Sequence, residues 1–395
     1  MTSISKRPRK LRMAMIGGGQ GAFIGEVHRM AAALCGDIEL VAGAFSSKQE
    51  VAQRSGAGLF LDPQRVYSNF DTMLSQEALR PENERPDFIT IVTPNHLHYP
   101  AATAALRAGF HVLCDKPVTA TLAEARELAI QVKSSKLQFG LTHSYLGYPL
   151  VTQAKMMIAA GEFGRIRKVF VEYPQGWLAD NQESSGNKQA SWRTDPARSG
   201  KSGCIGDIGS HAHNLAEYVS GQEIIEVSSA LNTFVTGRRL DDDGAALLRM
   251  SGGATGVLSA SQVCTGSENS LKITIYGEKG GCEWHQQDPN NLCVRRAGHP
   301  VAIYRAGSDL TYLAPKVRAS FRTPSGHPEG FIEAFANLYR AFSHTLWSSM
   351  GHEEEMATVP ECPSIEEGLR GMEFIEAMVL SSKNNGKWTP LNKAL

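Results

Sequence analysis

The sequence has no excess of charge of either sign, no paired cysteines and no long apolar run. Its 395 residues contain 40 Lys plus Arg and 40 Asp plus Glu, a balance that argues against a nucleic-acid or anionic-membrane partner. The 7 cysteines include no C-x-x-C pair, which argues against a disulfide framework or a cysteine zinc site. No apolar run approaches the ~20 residues of a membrane span. The composition therefore predicts a protein that acts on small molecules and keeps its cysteines reduced.

The chain is long enough for two domains, each with its own core. Residues 5–12 are basic, but the apolar stretch that follows, residues 13–16, is too short for the core of a secretory signal. We expect a frayed tail that leads into a first strand, and a cytoplasmic location.

A glycine-rich loop, residues 17–25, follows a predicted first strand and leads into a predicted helix over residues 26–34. Strand, glycine loop and helix are the elements of a dinucleotide-binding turn, in which the pyrophosphate lies at the helix N-terminus. The spacing departs from G-x-G-x-x-G, because Ala22 stands where the third glycine is expected. We expect Phe23 to cover the cofactor or the cleft, and an ordinary tight turn is the alternative interpretation.

After this turn, short apolar strands alternate with helices up to residue 143, which predicts an α/β Rossmann domain with a doubly wound parallel sheet over residues 1–143. The second strand is followed by Ser46, Ser47 and Lys48, and by no carboxylate. A carboxylate there would hold the ribose hydroxyls of NAD and repel the 2′-phosphate of NADP. These residues are therefore compatible with either dinucleotide.

Lys116 follows an apolar run, residues 112–114, that has the pattern of the buried end of a parallel strand. Side chains at the carboxyl ends of parallel strands face the edge of the sheet where ligands bind. Pro117 biases Lys116 towards an extended backbone, which directs the lysine away from the next helix. A surface lysine before a helix is the alternative, and the neighbouring motifs favour a functional lysine.

The second half of the chain has a different pattern and predicts an α+β domain for substrate binding and oligomerisation over residues 144–395. Residues 174–203 are irregular and rich in polar residues and glycine, which is typical of a functional lid. Apolar stretches then alternate with turns over residues 224–294 and predict a large, mostly antiparallel sheet. Two helices, near residues 328–346 and 364–380, complete the domain and can pack back on the Rossmann domain.

Asp207 and His211 are the chemically distinctive pair of this half. They lie four residues apart at the start of a predicted helix, so they share one face, and Asp207 suits the helix N-terminus. A carboxylate beside an imidazole can bind a substrate hydroxyl and move its proton. Alternatively, Asp207 caps the helix and His211 packs beside it. A metal site that includes His213 is disfavoured, because positions 211 and 213 face different ways on a helix, so we expect no metal.

Three motifs, in order behind the glycine loop, resemble those of the glucose–fructose oxidoreductase / inositol dehydrogenase family, also called Gfo/Idh/MocA. Residues 93–98 (TPNHLH) are similar to its T-P-x-x-x-H segment, residues 114–117 (CDKP) to its E-K-P motif, and residues 206–211 (GDIGSH) to its G-D-x-x-x-H motif. The resemblance spans nearly the whole chain. It departs from the family at Asp115, which replaces the usual Glu, and at Asn214, where many members have Asp.

In finer detail, residues 17–29, 190–214 and 325–330 resemble the levoglucosan dehydrogenase-like branch of this family. The resemblance implies an NAD(P)-dependent dehydrogenase that transfers hydride between a secondary hydroxyl of a sugar, anhydrosugar or cyclitol and nicotinamide C4. It implies that His211 is the general base, that Lys116 hydrogen-bonds the reacting oxygen, and that Asp207 orients the substrate.

The expected cofactor contacts lie in the glycine loop, after the second strand, in the first two motifs and in the lid. They are Gly17, Gly19, Gln20, Ala22, Phe23, Ile24, Ser46, Ser47, Lys48, Thr93, Pro94, Asn95, His98, Asp115, Lys116, Trp192 and Arg193. Rings stack on sugar faces and imidazoles bind hydroxyls, so further substrate contacts are expected beside Lys116, Asp207 and His211. They are Tyr145, Trp177, His213 and His327.

Two other classes of function are compatible with this fold. A hydrolase of this family oxidises a sugar transiently with retained NAD, eliminates the glycosidic substituent and finishes redox-neutral. A non-catalytic sensor shares the fold without turnover, but it would not need a lysine, an aspartate and a histidine together. We also expect a homodimer or homotetramer, because relatives assemble through the open face of their antiparallel sheet.

Overall fold

The computed structural model describes residues 9–352 and 361–391. Its N-terminal region contains the predicted parallel sheet, whose five strands are β1 (Leu11–Gly17), β2 (Ile38–Ala44), β3 (Phe88–Val92), β4 (His111–Cys114) and β5 (Phe139–Leu141). Their spatial order is β2-β1-β3-β4-β5, and every pair is parallel, so the Rossmann prediction is confirmed. The predicted frayed tail lies, up to residue 8, outside the described residues.

Helices on both faces of this sheet connect the strands. They are α1 (Phe23–Cys35), α2 (Gln49–Gly58), α3 (Phe70–Ala78), α4 (His98–Arg107) and α5 (Leu122–Ser135). Helix α1 begins at Phe23 rather than Glu26, because the last loop glycine, Gly21, has a positive φ of 83° and Ala22 is already the extended N-cap. The strand expected near Val66 is a single bridge to Gly43, because a short 3₁₀ turn, Pro63–Arg65, occupies the connection.

The C-terminal region contains a nine-stranded sheet. Its strands are β6 (Ile166–Pro174), β7 (Ile224–Asn232), β8 (Asp243–Met250), β9 (Thr255–Ser261), β10 (Lys272–Gly277), β11 (Gly280–His285), β12 (Asn291–Arg296), β13 (Ala302–Arg305) and β14 (Thr389–Pro390). The order is β13-β12-β11-β10-β6-β9-β8-β7-β14, and β6–β9 is the parallel pair among antiparallel neighbours. The prediction of a mostly antiparallel sheet is therefore confirmed.

The helices of this region are α6 (Pro149–Ala159), α7 (Lys188–Arg193), α8 (Pro196–Ser199), α9 (Ser210–Ser220), α10 (Pro315–Ser320), α11 (Phe331–Ser349) and α12 (Ile365–Lys383). Alternate residues of β6 and β8 are buried, so one face of the large sheet carries the core, and α9 and α12 pack on that face. None of the described helices is both long enough and apolar enough to cross a bilayer.

Helix α11 packs on α1 of the Rossmann region. Phe335, Tyr339 and Phe342 of α11 share one buried cluster with residues of the parallel sheet, on the face that α1 covers. Within it, the Tyr339 hydroxyl lies 2.8 Å from Nδ1 of His28, and burial lowers the pKa of His28 to about 4. A helix from the second half of the chain thus completes the core of the first half.

A buried ion pair joins α12 to α9. The Arg370 guanidinium donates to both carboxylate oxygens of Glu217, and these side chains are 10% and 17% exposed. Burial opposes ionisation of Glu217, but the charges of His213 and Arg370 outweigh it and lower its pKa from 4.5 to about 2. Because the folded pKa is the lower one, the stabilisation is present above pH 4.5 and is lost as the pH falls towards 2.

We expect Arg370→Met to lower the free energy of unfolding by about 3–5 kcal/mol, because it leaves a buried carboxylate without its partner. Denaturant unfolding at pH 7 measures this change. The control is Lys201→Met, which breaks the exposed Lys201–Glu376 pair and should cost less than about 1 kcal/mol. Equal effects of the two substitutions would contradict the assignment.

Candidate active site

Lys116 lies directly beyond β4, at the carboxyl edge of the parallel sheet. Asp115 fixes this position, because its Oδ1 accepts from the Lys116 backbone N–H at 2.8 Å and from the Thr142 hydroxyl at 2.8 Å. The peptide bond between Lys116 and Pro117 is cis. Asp115 therefore anchors the turn that presents the lysine, in addition to any cofactor contact it makes.

The Lys116 ammonium contacts Asp207. Its Nζ donates to Asp207 Oδ1 at 2.7 Å and to the Asp207 backbone oxygen at 2.5 Å. The two side chains are 12% and 14% exposed, so the pair is largely shielded from water. The second and third motifs thus meet across the boundary between the two halves of the chain.

The other oxygen of Asp207 has two further donors. Arg193 Nε donates to Oδ2 at 3.0 Å, and Gln262 Nε2 donates to it at 2.9 Å. Burial opposes ionisation, but the charges of Lys116 and Arg193 outweigh it and hold the pKa of Asp207 well below its usual range. Asp207 is therefore a permanent carboxylate whose oxygens orient a lysine, an arginine and an amide.

Asp207 lies in a π-helical turn, Ile205–Gly209, that continues into α9, rather than in the first turn of an α-helix as predicted. The turn begins against the carboxylate of Asp241, which accepts from the backbone N–H groups of Gly203 and Ile205 at 2.9 Å. These are N–H groups that a helix start leaves unsatisfied. Asp241 thereby fixes the start of the segment that carries Asp207 and His211.

His211 is buried in a mostly aromatic surrounding. Its ring contacts Tyr145 edge-to-face at a centroid distance of 4.9 Å and His143 at 5.5 Å. Burial and the charge of Lys116 lower the pKa of His211 well below 6.5, and burial lowers the pKa of His143 to about 3. In the part of the chain that the structure describes, Nδ1 of His211 has no hydrogen-bond partner. His211 is therefore a neutral imidazole that can still form a hydrogen bond. It lies close enough to the Lys116 ammonium for that charge to lower its pKa.

The lid segment, residues 174–203, contains helices α7 and α8 and places Trp177 and Trp192 against Arg193, which donates to Asp207. The Arg193 guanidinium lies over the Trp192 ring at 4.2 Å and 5.8 Å from the Trp177 ring. Arg238 fastens the lid by donating to the backbone oxygens of Leu178 at 2.7 Å and Asp180 at 2.8 Å. The two tryptophans predicted from the sequence are therefore held close to Arg193, which itself donates to Asp207.

Two of the predicted substrate contacts, His213 and His327, make other contacts within the chain. The His213 ring stacks on Phe374 at 4.5 Å, and its Nε2 is 3.3 Å from Glu217, so this side chain belongs to the buried contact between α9 and α12. His327 is exposed in the turn before α11, with Nδ1 3.3 Å from the Ser325 backbone oxygen. Within residues 9–352 and 361–391, no three potential metal-ligating side chains are grouped closely enough to hold an ion.

The glycine loop has the close backbone approach that a dinucleotide cradle needs. Gly17 and Gly18 have positive φ values of 86° and 70°. A Cβ on Gly25 would lie 2.2 Å from Cα of Gly18, so Gly25 lets the first turn of α1 pack against the loop. This contact explains the late third glycine, which replaces the one expected at position 22. Gly19, Gln20, Ala22, Phe23 and Ile24 lie along the same loop and the N-terminus of α1, and Phe23 is 68% exposed.

The other predicted cofactor residues lie around this cradle. The Thr93 hydroxyl is buried without a partner in the described part of the chain, and so is Nδ1 of His96, which was not among the predicted contacts; both suit a polar ligand. Asn95 instead donates to the Ser199 backbone oxygen at 3.0 Å, which ties the lid to this turn. His98 lies 2.7 Å from the Pro117 oxygen and 2.8 Å from the Thr93 oxygen, so it braces two motifs.

Pro94 precedes the short helical turn that carries Asn95, at the same edge of the sheet. At the end of β2, Ser46 is half-buried, Ser47 and Lys48 are exposed, and the Lys48 backbone N–H donates to the Ser46 hydroxyl at 3.1 Å. The glycine cradle, the free N-terminus of α1 and the unpartnered polar atoms together fit a dinucleotide.

Sequence reasoning missed His143, Gln262 and Asp241. His143 follows β5 just as Lys116 follows β4, so the same carboxyl-edge argument would have found it. Gln262 follows β9, and a single glutamine after a strand has no motif to distinguish it. Asp241 belongs to the acidic run 241–243, which has the sequence pattern of a solvated turn, although the structure buries Asp242 and encloses the Asp241 carboxylate in hydrogen bonds.

We expect Gly25→Ala to weaken NAD binding about 10- to 100-fold, because the added methyl group displaces the backbone of Gly18. Titration of the protein with NAD by calorimetry measures this effect. The matched control is Gly58→Ala at the end of α2, where a Cβ meets nothing within 4 Å and affinity should be unchanged. An unchanged affinity in both variants would show that the close approach at Gly18 is not needed for the cradle.

Comparison with known proteins gives the family. The profile described as "Oxidoreductase family, NAD-binding Rossmann fold" matches residues 11–143, and the "GFO/IDH/MocA C-terminal domain" profile matches residues 151–283. An uncharacterized oxidoreductase of Bacillus subtilis, YfiI, is 32% identical over 384 residues, which cover 96% of each chain. A levoglucosan dehydrogenase of Pseudarthrobacter phenanthrenivorans is 28% identical over 78% of this chain and 81% of its own length.

A crystal structure of an inositol dehydrogenase homologue from Azotobacter vinelandii, complexed with NADH and myo-inositol, is also similar. It is 34% identical, has a TM-score of 0.89, and covers 98% of this chain and 99% of its own. The family resemblance carried by the three motifs and the glycine loop is thereby confirmed. The chain belongs to the Gfo/Idh/MocA family of oxidoreductases, and its N-terminal region is an NAD-binding Rossmann fold.

Proposed function

We propose that this protein is an NAD-dependent dehydrogenase that oxidises a secondary hydroxyl of a sugar, anhydrosugar or cyclitol. The observation that carries the proposal is the contact of the Lys116 ammonium with the Asp207 carboxylate, beside a neutral His211, at the carboxyl edge of the NAD-binding sheet. Bound NAD would supply the hydride acceptor. A secondary alcohol also needs a base for its hydroxyl proton and a cation for its developing oxyanion, and the two side chains meet these needs.

Lys116 acts on the reacting oxygen. Its ammonium has three donors, of which two are used by the carboxylate and the backbone oxygen of Asp207. The remaining N–H is available to the substrate oxygen. Because Asp207 stays ionised and is itself held by Arg193 and Gln262, it fixes the lysine's direction before substrate binds.

His211 accepts the hydroxyl proton. Its lowered pKa keeps the imidazole neutral at physiological pH, which is the form that accepts a proton. The ionised Asp207 then stabilises the imidazolium that forms, since the Asp207 charge favours the protonated ring. The aromatic rings around His211 limit the access of water to this proton transfer.

A panel of sugars, anhydrosugars and inositols, tested separately with NAD and NADP, examines the proposal. We expect at least one compound to give the absorbance of reduced nicotinamide with NAD. Failure of every compound to reduce either dinucleotide would contradict the proposal. Cleavage of a glycoside without net NADH, by protein that retains NAD, would favour the hydrolase alternative instead.

We propose that the protein forms a homo-oligomer, with a second copy on the open face of the nine-stranded sheet. Phe170, Val257 and Leu247 lie side by side across β6, β9 and β8, and the Tyr276 ring contacts Phe170 at 6.3 Å. Three of them, Phe170, Leu247 and Tyr276, are at least 41% exposed. Charges of both signs flank this row, including the Lys272–Glu172 pair, so the face is complementary to a second copy of itself.

Replacing Leu247 with Lys tests this interface. We expect the wild-type protein to elute as a dimer or tetramer in size-exclusion chromatography with light scattering, and Leu247→Lys to shift it towards a monomer. Ile130→Lys, a change at an exposed residue of α5, is the control and should leave the assembly intact. A monomeric wild-type protein would exclude the interface.

A further inference from the structure

Two buried tyrosines and an asparagine form a hydrogen-bonded triangle behind His211. The Tyr145 and Tyr173 hydroxyls are bonded to each other. The Tyr173 hydroxyl donates to Asn269 Oδ1 at 2.7 Å, and Asn269 Nδ2 donates to the Tyr145 hydroxyl at 3.2 Å. The tyrosines are 4% and 2% exposed, so bulk solvent has little access to these groups.

The directions of these hydrogen bonds close the triangle. Each hydroxyl has one proton, and that of Tyr173 goes to Asn269. The proton between the two tyrosines must therefore come from Tyr145, which in turn accepts from Asn269. No hydroxyl proton is left over, so neither tyrosine can donate to a substrate while the triangle is intact. Any contact of Tyr145 with a sugar would therefore have to be made through its ring.

The triangle is connected on one side to the base and on the other to the lid. The His211 ring lies edge-to-face on Tyr145 at 4.9 Å and 6.4 Å from Tyr173. From Asn269 the connection continues outwards, because Gln175 Nε2 donates to the same Oδ1 at 2.6 Å. The Trp177 indole N–H then donates to Gln175 Oε1 at 3.0 Å.

We propose that Tyr145, Tyr173 and Asn269 are positioning residues that set substrate discrimination by fixing the distance between His211 and Trp177. This inference rests on the proposed dehydrogenase function. The triangle is rigid and uses its hydroxyl protons internally. A bound polyol therefore donates its hydroxyl proton to His211 and stacks on the ring of Trp177. Polyols whose hydroxyls are arranged for another spacing are then rejected.

Tyr173→Phe tests the proposal, because it keeps the ring and removes the hydroxyl that closes the triangle. We expect kcat/KM for the preferred polyol to fall about 10- to 100-fold, since the remaining buried groups lose partners. Both a lower kcat and a higher polyol KM should contribute. The ratio of kcat/KM between that polyol and its epimer should move towards one, while the dissociation constant of NAD stays unchanged.

Tyr148→Phe is the matched control. Tyr148 is 2% exposed and its ring stacks on that of Tyr145 at a centroid distance of 6.3 Å, but its hydroxyl is not part of the triangle. The Tyr148→Phe variant should have the kinetic constants and the epimer ratio of the wild-type protein. The proposal would be overturned if Tyr173→Phe lowers the melting temperature as Tyr148→Phe does but leaves kcat, polyol KM and the epimer ratio of kcat/KM at wild-type values.

A double-mutant cycle separates this inference from the proposed function. Thermal unfolding of Tyr145→Phe, Tyr173→Phe and the double variant needs no substrate. We expect the double variant to lose less than the sum of the single losses, because the two hydroxyls share one network. Additive losses would overturn the triangle even if the wild-type protein is a dehydrogenase. Coupled losses together with failure of the whole polyol panel would refute the function and, with it, the proposed effect on discrimination.

Discussion

Replacing Lys116 with methionine is expected to reduce kcat about 10²–10⁴-fold while NAD still binds. Methionine keeps much of the side-chain length but cannot donate to the reacting oxygen or offset its charge. Stopped-flow or steady-state formation of NADH measures kcat, and calorimetry measures NAD affinity. Lys201→Met, which removes an exposed lysine paired with Glu376, is the control and should leave kcat unchanged.

The same substitution should change the pH profile. Because the Lys116 charge contributes to the lowered pKa of His211, its removal raises that pKa towards 6.5, although burial still holds it down. Activity requires the neutral imidazole, so the acid limb of kcat/KM moves to higher pH in Lys116→Met. Lys116→Arg retains the charge and should leave the limb near its wild-type position. An acid limb that does not move in Lys116→Met would contradict the electrostatic link between the two groups.

Replacing His211 with glutamine is expected to cost about 10²–10⁴-fold in kcat, because the amide cannot take the hydroxyl proton. In the wild-type protein, kcat/KM should be flat around neutral pH and fall only well below pH 6.5, as the ring of lowered pKa becomes protonated. In His211→Gln this acid limb should disappear, and pH–rate profiles of the two proteins test it.

His299→Gln, in an exposed turn after β12, controls for the loss of an imidazole and should preserve both rate and pH profile. A His211→Gln protein that keeps the acid limb would assign the titration to another group. His143 would then be the first alternative, since it is the neighbouring buried imidazole, and His143→Gln would settle the assignment.

The parts of the site that depend on local sequence rules were predictable. Lys116 stands at the end of a short apolar strand, and parallel strands present their carboxyl ends to the ligand edge. The glycine loop and the motif that contains Asp207 and His211 were likewise visible in the sequence. The structure brings Lys116 and Asp207 within hydrogen-bond distance, a contact that the sequence did not predict.

Other parts depend on contacts between distant segments and leave no local signal. The π-helical turn at Asp207 begins at a residue whose N–H is bound by Asp241, on the loop between β7 and β8. The triangle joins Tyr145 to Tyr173 and Asn269, which lie far apart in sequence. His213 has the same chemistry as His211, but the helix turns it towards Phe374 and the core. The residue type therefore indicated which chemistry is available, and packing determined which of the two histidines can take part in it.

The position of α11 restricts how members of this family can be recombined. Phe335, Tyr339 and Phe342 come from late in the chain, yet they fill the back of the Rossmann core beside His28. Residues 11–143 expressed alone would expose that apolar surface and leave the imidazole without its tyrosine. A chimera that exchanges nucleotide-binding halves between relatives must therefore take α11 from the same relative as the parallel sheet. The exchanged residues then come from two separate segments of the gene.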